Sequence, residues 1–104
     1  MIIVSQDKMD EIKQELLELK FNVDSVGIIY WIEAIKLIKK NPLVWDMIDI
    51  YENVAKTHNS TKYKVERLMR YAIFPARENI QRKYGYYGKI KNQTFLDLIS
   101  FKLI

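Results

Sequence analysis

The chain has 104 residues, 49% of them apolar, with 17 basic and 13 acidic side chains, a net charge of +4 and no cysteine. That is one domain's length of chain with material for a core, and it excludes disulfides and thiolate metal sites. The longest apolar run beyond the first residues, Ile28 to Ile32, is far too short to span a bilayer, and Met1 to Val4 lacks the basic flank and length of a signal peptide, so the expected location is the cytoplasm, with no membrane partner.

Helical periodicity runs through the whole sequence. Met9, Ile12, Leu16 and Leu19 recur at three- and four-residue steps among acidic residues, which predicts a first amphipathic helix over 6–20. Ser5 or Asp7 is its candidate cap, and Asp7, Asp10 and Glu11 suit its positive end. Residues 21–25 read as a connector. Ile28, Ile32, Ile35 and Ile38 predict a second helix over 26–39, which Asn41-Pro42 stops. A third helix over 45–57 carries Met47, Ile48, Tyr51, Val54 and Ala55 as its apolar stripe. His58-Asn59-Ser60 breaks the pattern, and Asn59 tolerates a left-handed backbone. Ser60 or Thr61 caps a fourth helix over 62–73. Pro75 interrupts it and suits the first position of a fifth helix reaching Lys83. Residues 84–91, with Gly85 and Gly88, read as a loop. Asn92 caps a last helix carrying Phe95, Leu98, Ile99, Lys102 and Leu103. No strand alternation or repeat is visible. The fold expected is all-α: a six-helix, bundle-like single domain over 1–104.

Charge is unevenly spread. Met1 to Ala55 holds 6 basic and 10 acidic residues, whereas Lys56 to Lys91 holds 10 basic and 2 acidic ones. A basic block within a folded chain suits a polyanion. The fourth helix lies inside it. On a wheel of 100° per residue, Val65, Leu68, Met69, Ala72 and Ile73 fill one arc. Tyr63, Lys64, Glu66, Arg67, Arg70, Tyr71 and Phe74 fill the other. The second arc can enter a major groove, with Arg on guanine edges, Glu accepting from cytosine N4 and Lys on phosphate. Ala55 supplies the small residue of a first motif helix, His58-Asn59-Ser60 the turn, and Val65 and Leu68 the closing pair. The spacing fits a helix-turn-helix over about 46–74.

The same stretches resemble a known family, the C-terminal DNA-binding (effector) domain of the sporulation master response regulator of endospore-forming bacteria. The similarity lies in Gly27-Ile28-Ile29-Tyr30-Trp31-Ile32-Glu33-Ala34-Ile35, in Val54 to Thr61, and in Val65-Glu66-Arg67 with Arg70 and Ala72-Ile73. Tyr84-Gly85-Tyr86 and Asn92 with Phe95 match later landmarks. The resemblance implies a six-helix promoter-binding regulator of transcription that reads a motif with a TGTCGAA-like core. It implies Glu66, Arg67 and Arg70 at base edges, with Lys64 also on the DNA. It further implies self-association on tandem sites, with the last helix, within 92–104, helping to form the contact. A phosphate-accepting receiver domain, which normally precedes this domain, is not expected within 1–104. The sequence departs from the family at Pro75, at Tyr63 and Tyr71, and in the short connector from Asn41 to Trp45.

The expected backbone-contacting set is Lys56, Ser60, Thr61, Lys62, Lys64, Arg77 and Lys89, with Arg82 and Lys91 adding phosphate attraction. His58, the lone histidine, is a turn residue that packs or touches a phosphate. Asp46, Asp49 and Glu52 form a solvated acidic face, and Trp31 and Trp45 are core or inter-helix anchors rather than ligand platforms. Tyr84, Tyr86 and Tyr87, beside Lys83 and Lys89, either touch a DNA backbone or pack on the last helices. No serine has a histidine base, so no enzyme, metal or cofactor is expected. The competing reading is a helical protein–protein interaction module with a degenerate helix-turn-helix, gripping its partner through Tyr63, Tyr71 and Phe74.

Overall fold

The structure, a computed structural model, describes residues 4–41 and 45–103, with side chains from Glu11 onward. These residues form six α-helices: α1 (Val4–Glu18), α2 (Val26–Lys40), α3 (Met47–Thr57), α4 (Lys62–Ile73), α5 (Arg77–Tyr84) and α6 (Asn92–Leu103). A 3-10 turn, Phe74–Ala76, joins α4 to α5. The fold is all-α, as the periodicity predicts. No described helix is long and apolar enough to cross a membrane.

The centre is α2, which packs on α1, α3, α4 and α6. It is buried along nearly its whole length, through Gly27, Ile28, Tyr30, Trp31, Ala34, Ile35 and Ile38. Trp31 is fully enclosed and meets the Phe95 ring edge-on, at 4.9 Å between centroids. Phe21 closes on the same Phe95 ring at 5.3 Å.

Three helices end in one motif. After α1, Lys20 takes a left-handed φ of 70°, with Phe21 N–H donating to Leu16 O at 3.1 Å and Lys20 N–H to Leu17 O at 3.0 Å. After α3, Asn59 at φ 51° does the same, with Ser60 N–H donating to Ala55 O at 2.9 Å. After α5, Gly85 at φ 68° lets Tyr86 N–H reach Gln81 O at 3.2 Å. Each pattern returns backbone donors to the last open carbonyls of its helix.

Several boundaries differ from expectation. The first helix already includes Val4, so Ser5 and Asp7 stand inside it rather than at a cap. The stop at Pro42 lies outside the described residues. The third helix begins at Met47, because Asp46 caps it by accepting from Asp49 N–H at 2.8 Å. Its stripe is also rotated: Ile48 is 58% exposed, while Ile50 is fully buried. Thr61 rather than Ser60 caps α4, accepting from Lys64 N–H at 3.2 Å. Pro75 does not open α5. The chain keeps right-handed geometry at Phe74, Pro75 sits inside the 3-10 turn, and α5 starts at Arg77. Asn92 is the first residue of α6 and turns its side chain inward.

A charged cluster ties α1 to α5 and α6. Glu15 is only 5% exposed. Lys83 Nζ donates to Glu15 Oε1 at 3.0 Å and to Glu18 Oε1 at 2.8 Å, and the Tyr84 hydroxyl donates to Glu15 Oε2. Burial, then the bond to Glu15, pushes the Tyr84 phenol far above its ordinary value of 10.0. The bond to Glu18 leads the causes that raise Lys83. A group that holds its proton more tightly when folded adds stability that is complete below its unfolded pKa and is lost as pH rises through the folded one. Stability is therefore expected to decline above about pH 10. Tyr84→Phe is expected to cost about 1.5–3 kcal/mol at neutral pH, the range for a hydrogen bond to a charged group, and to flatten that alkaline decline. Urea melts at neutral and alkaline pH check this; parallel losses in the two proteins would remove Tyr84 as the source.

Candidate nucleic-acid interface

The α3–turn–α4 unit is built from close approaches. Val54 and Ala55 on α3 are buried, and His58 to Thr61 make the connection. His58 turns back onto α2, with Nε2 2.9 Å from Glu33 Oε1 and its ring 5.2 Å from that of Tyr30. So His58 packs, and it does so on α2.

Helix α4 is held from behind by α2. Trp31 Nε1 donates to Met69 O at 2.9 Å, a buried bond. Gly27 faces the same stretch so closely that a Cβ there would lie 2.5 Å from Leu68 O and 2.8 Å from Ala72 Cβ. Asn92 supports α4 from a third side. Its Nδ2 donates to Glu66 O at 3.2 Å and to Tyr51 Oη at 3.0 Å. Burial raises the Tyr51 phenol above its ordinary value. Neither Gly27 nor Asn92 was singled out from sequence as a support for this helix. The only signal was Gly27 itself, a glycine inside an apolar helix, which often marks close packing.

The predicted arcs of α4 are present. Val65, Met69, Ala72 and Ile73 are buried, and Leu68 is half-buried. Tyr63, Lys64, Arg67, Arg70, Tyr71 and Phe74 are exposed, and Glu66 is half-buried beside them. Arg70 grips Glu66, with Nε at 2.9 Å from Oε2 and a second bond to Oε1 at 3.5 Å. That carboxylate, first through its hydrogen bond, raises the Arg70 pKa. The Arg70 guanidinium also lies 5.2 Å from the Tyr71 ring centre, and Tyr71 touches Phe74 at 5.8 Å. Arg67 is exposed and makes no ion pair among the described residues.

Two shallow grooves flank α4. One brings Lys56, Ser60 and Lys62 together with Asp49 and Glu52. There Lys62 Nζ is 3.5 Å from Glu52, and the Ser60 hydroxyl is buried with no hydrogen-bond partner among the described residues. Thr61 spends its hydroxyl on the cap. The other groove joins Glu66, Arg70, Arg77, Lys89 and Lys91 over Tyr51 and Ile90. Lys64 stands exposed on the first turn of α4. Lys83 and Tyr84 are committed to Glu15, and Arg82 lines a separate groove with Glu18 and Lys83. Tyr86 and Tyr87 remain exposed. Among the described residues, no cluster of three His, Cys, Asp or Glu side chains can hold a metal ion.

The geometry is that of a helix-turn-helix with a cationic outward face, and the family comparison agrees with it. Residues 12–103 match the family model described as the C terminal of the sporulation initiation factor Spo0A, a family of DNA-binding transcription regulators in sporulation. The chain belongs to the Spo0A C-terminal family.

Proposed function

We propose that this chain is a single, non-enzymatic domain that binds double-stranded promoter DNA in a sequence-specific way, in the cytoplasm, with α4 in the major groove. The observation that carries the reading is the outward arc of α4, where exposed Arg67 is free of ion pairs among the described residues, on a helix pinned by Trp31, Gly27 and Asn92. A base reader must be held rigidly and present unspent donors. Arg67 is the lead reader, with a fork suited to guanine O6 and N7. Glu66 suits a cytosine N4 donor, and Arg70 aligns it or exchanges it for a base edge. Lys56, Lys62, Lys64, Arg77 and Lys89 supply phosphate contacts, with Thr61 offering the backbone at the start of α4; the Ser60 N–H is taken up by Ala55 O. Helix α6 is the proposed contact between copies on tandem sites.

The test is fluorescence anisotropy on a duplex with the TGTCGAA-type core and on a scrambled duplex, across a salt series. Preference for the core with a steep salt slope on both duplexes supports the reading; equal affinities would remove sequence specificity. Arg67→Ala is expected to lose about 1–3 kcal/mol of discrimination. Lys56→Ala is expected to weaken both duplexes alike and to lower the salt slope by about 1. Equal losses on both duplexes for Arg67→Ala would remove it as a base reader.

One observation favours a second reading. Tyr63 is 75% exposed and Phe74 60%, an aromatic display that also suits a protein partner. Binding through that patch alone would be nearly indifferent to salt.

A further inference from the structure

Tyr63 is the least explained side chain on α4. It lies on the first turn, is 75% exposed, and has the Lys62 ammonium 5.5 Å from its ring centre. Four residues separate Tyr63 from Arg67 and Arg67 from Tyr71, so the three side chains form one ridge along the helix. Arg67, the middle of that ridge, is exposed and makes no ion pair among the described residues. An exposed ring beside the Lys62 ammonium and one helical turn from Arg67 suits a partner that is anionic overall yet offers an apolar group beside the charge. The major-groove edge of DNA offers one such group, the thymine C5-methyl. In a helix-turn-helix, the N-terminal residues of the second helix meet base edges.

We propose that Tyr63 is a specificity-determining residue whose ring packs on the C5-methyl of a thymine close to the base pair read by Arg67. This rests on the DNA-binding reading above. The four residues from Tyr63 to Arg67 advance about 6 Å along α4, and base pairs stack about 3.4 Å apart, so the thymine lies within about two steps of the Arg67-dependent pair.

The probe is a duplex with the TGTCGAA-type core or, if that core is not preferred, the tightest duplex enriched from a randomised pool. Each thymine on both strands is replaced in turn by deoxyuridine, which deletes the methyl and leaves base pairing intact. Wild-type binding is expected to weaken roughly fourfold at one position, the effect of losing one buried methyl. Tyr63→Ala is expected to bind the thymine and deoxyuridine forms equally, while Tyr63→Phe keeps the discrimination because the ring, not the hydroxyl, makes the contact. Circular dichroism verifies that both variants fold. If no position shows a penalty that Tyr63→Ala abolishes, the proposal is overturned. A uniform loss on all duplexes in Tyr63→Ala would also overturn it, making Tyr63 a backbone contact. Those results leave the DNA-binding reading intact provided the wild type still prefers its duplex over the scrambled one; if that preference is missing, both fall.

Discussion

Trp31→Ala is expected to remove about 3–5 kcal/mol of stability, the range for truncating a buried large aromatic. Folded proteins of this size hold only about 5–15 kcal/mol in total, so the variant should melt on the order of 15 °C lower. Two losses combine. The indole fills the space between α2, α4 and α6, fully enclosed against Phe95. Its N–H also ends on Met69 O, a backbone carbonyl of α4. Trp31→Phe separates these losses, since it keeps much of the apolar volume and deletes the donor. Urea denaturation measures both variants. A loss below about 1 kcal/mol in Trp31→Ala, at the floor of ordinary single substitutions, would contradict the packing described here.

Gly27→Ala is the second large effect, and its sign is the informative part. In an exposed helix interior, glycine to alanine gains about 1 kcal/mol through lower backbone entropy. Here the added methyl group would sit 2.5 Å from Leu68 O and 2.8 Å from Ala72 Cβ. Neither neighbour is the loose end of a flexible side chain. The carbonyl belongs to the α4 backbone and the methyl group is rooted on it, so the two helices must part. Overpacking of this kind costs about 1–3 kcal/mol, which outweighs the propensity gain. Parting α2 from α4 also shifts the reading face relative to α3. The expected result is therefore a lower melting temperature, together with weaker binding to the preferred duplex at temperatures where the variant is still folded. A higher melting temperature would mean that the close α2–α4 approach is wrong.

Much of the candidate interface was readable in the chain because its signals are local. The arcs of α4 follow from a rotation of 100° per residue, and the buried residues fall where that rotation puts them. The turn at Asn59 was visible because asparagine tolerates φ near 51°, the value it adopts. Lys20 adopts φ 70° after α1 with no comparable signal, since lysine carries no left-handed preference. Ile48 and Ile50 show the limit of periodicity. Both are apolar, and only the docking of α3 determines that Ile50 is enclosed while Ile48 faces solvent. Glu15 reads as one more acid on a polar face. It is buried because Lys83 and Tyr84, nearly seventy residues later, close over it.

The helical class, the order of the helices, the basic segment from Lys56 to Lys91 and the amphipathic character of α4 are all legible along the chain. Each rests on neighbours within a few residues, where spacing along the chain and spacing in space are nearly the same. Helix packing sets which polar groups remain available. It committed Lys83 to Glu15 and Glu18, and it left Arg67 exposed and free of ion pairs among the described residues. It also set Trp31, Gly27 and Asn92 against the back of α4. Most of these pairings join residues far apart in sequence. They form only when helix packing brings them within bonding distance, so no local pattern in the chain carries them.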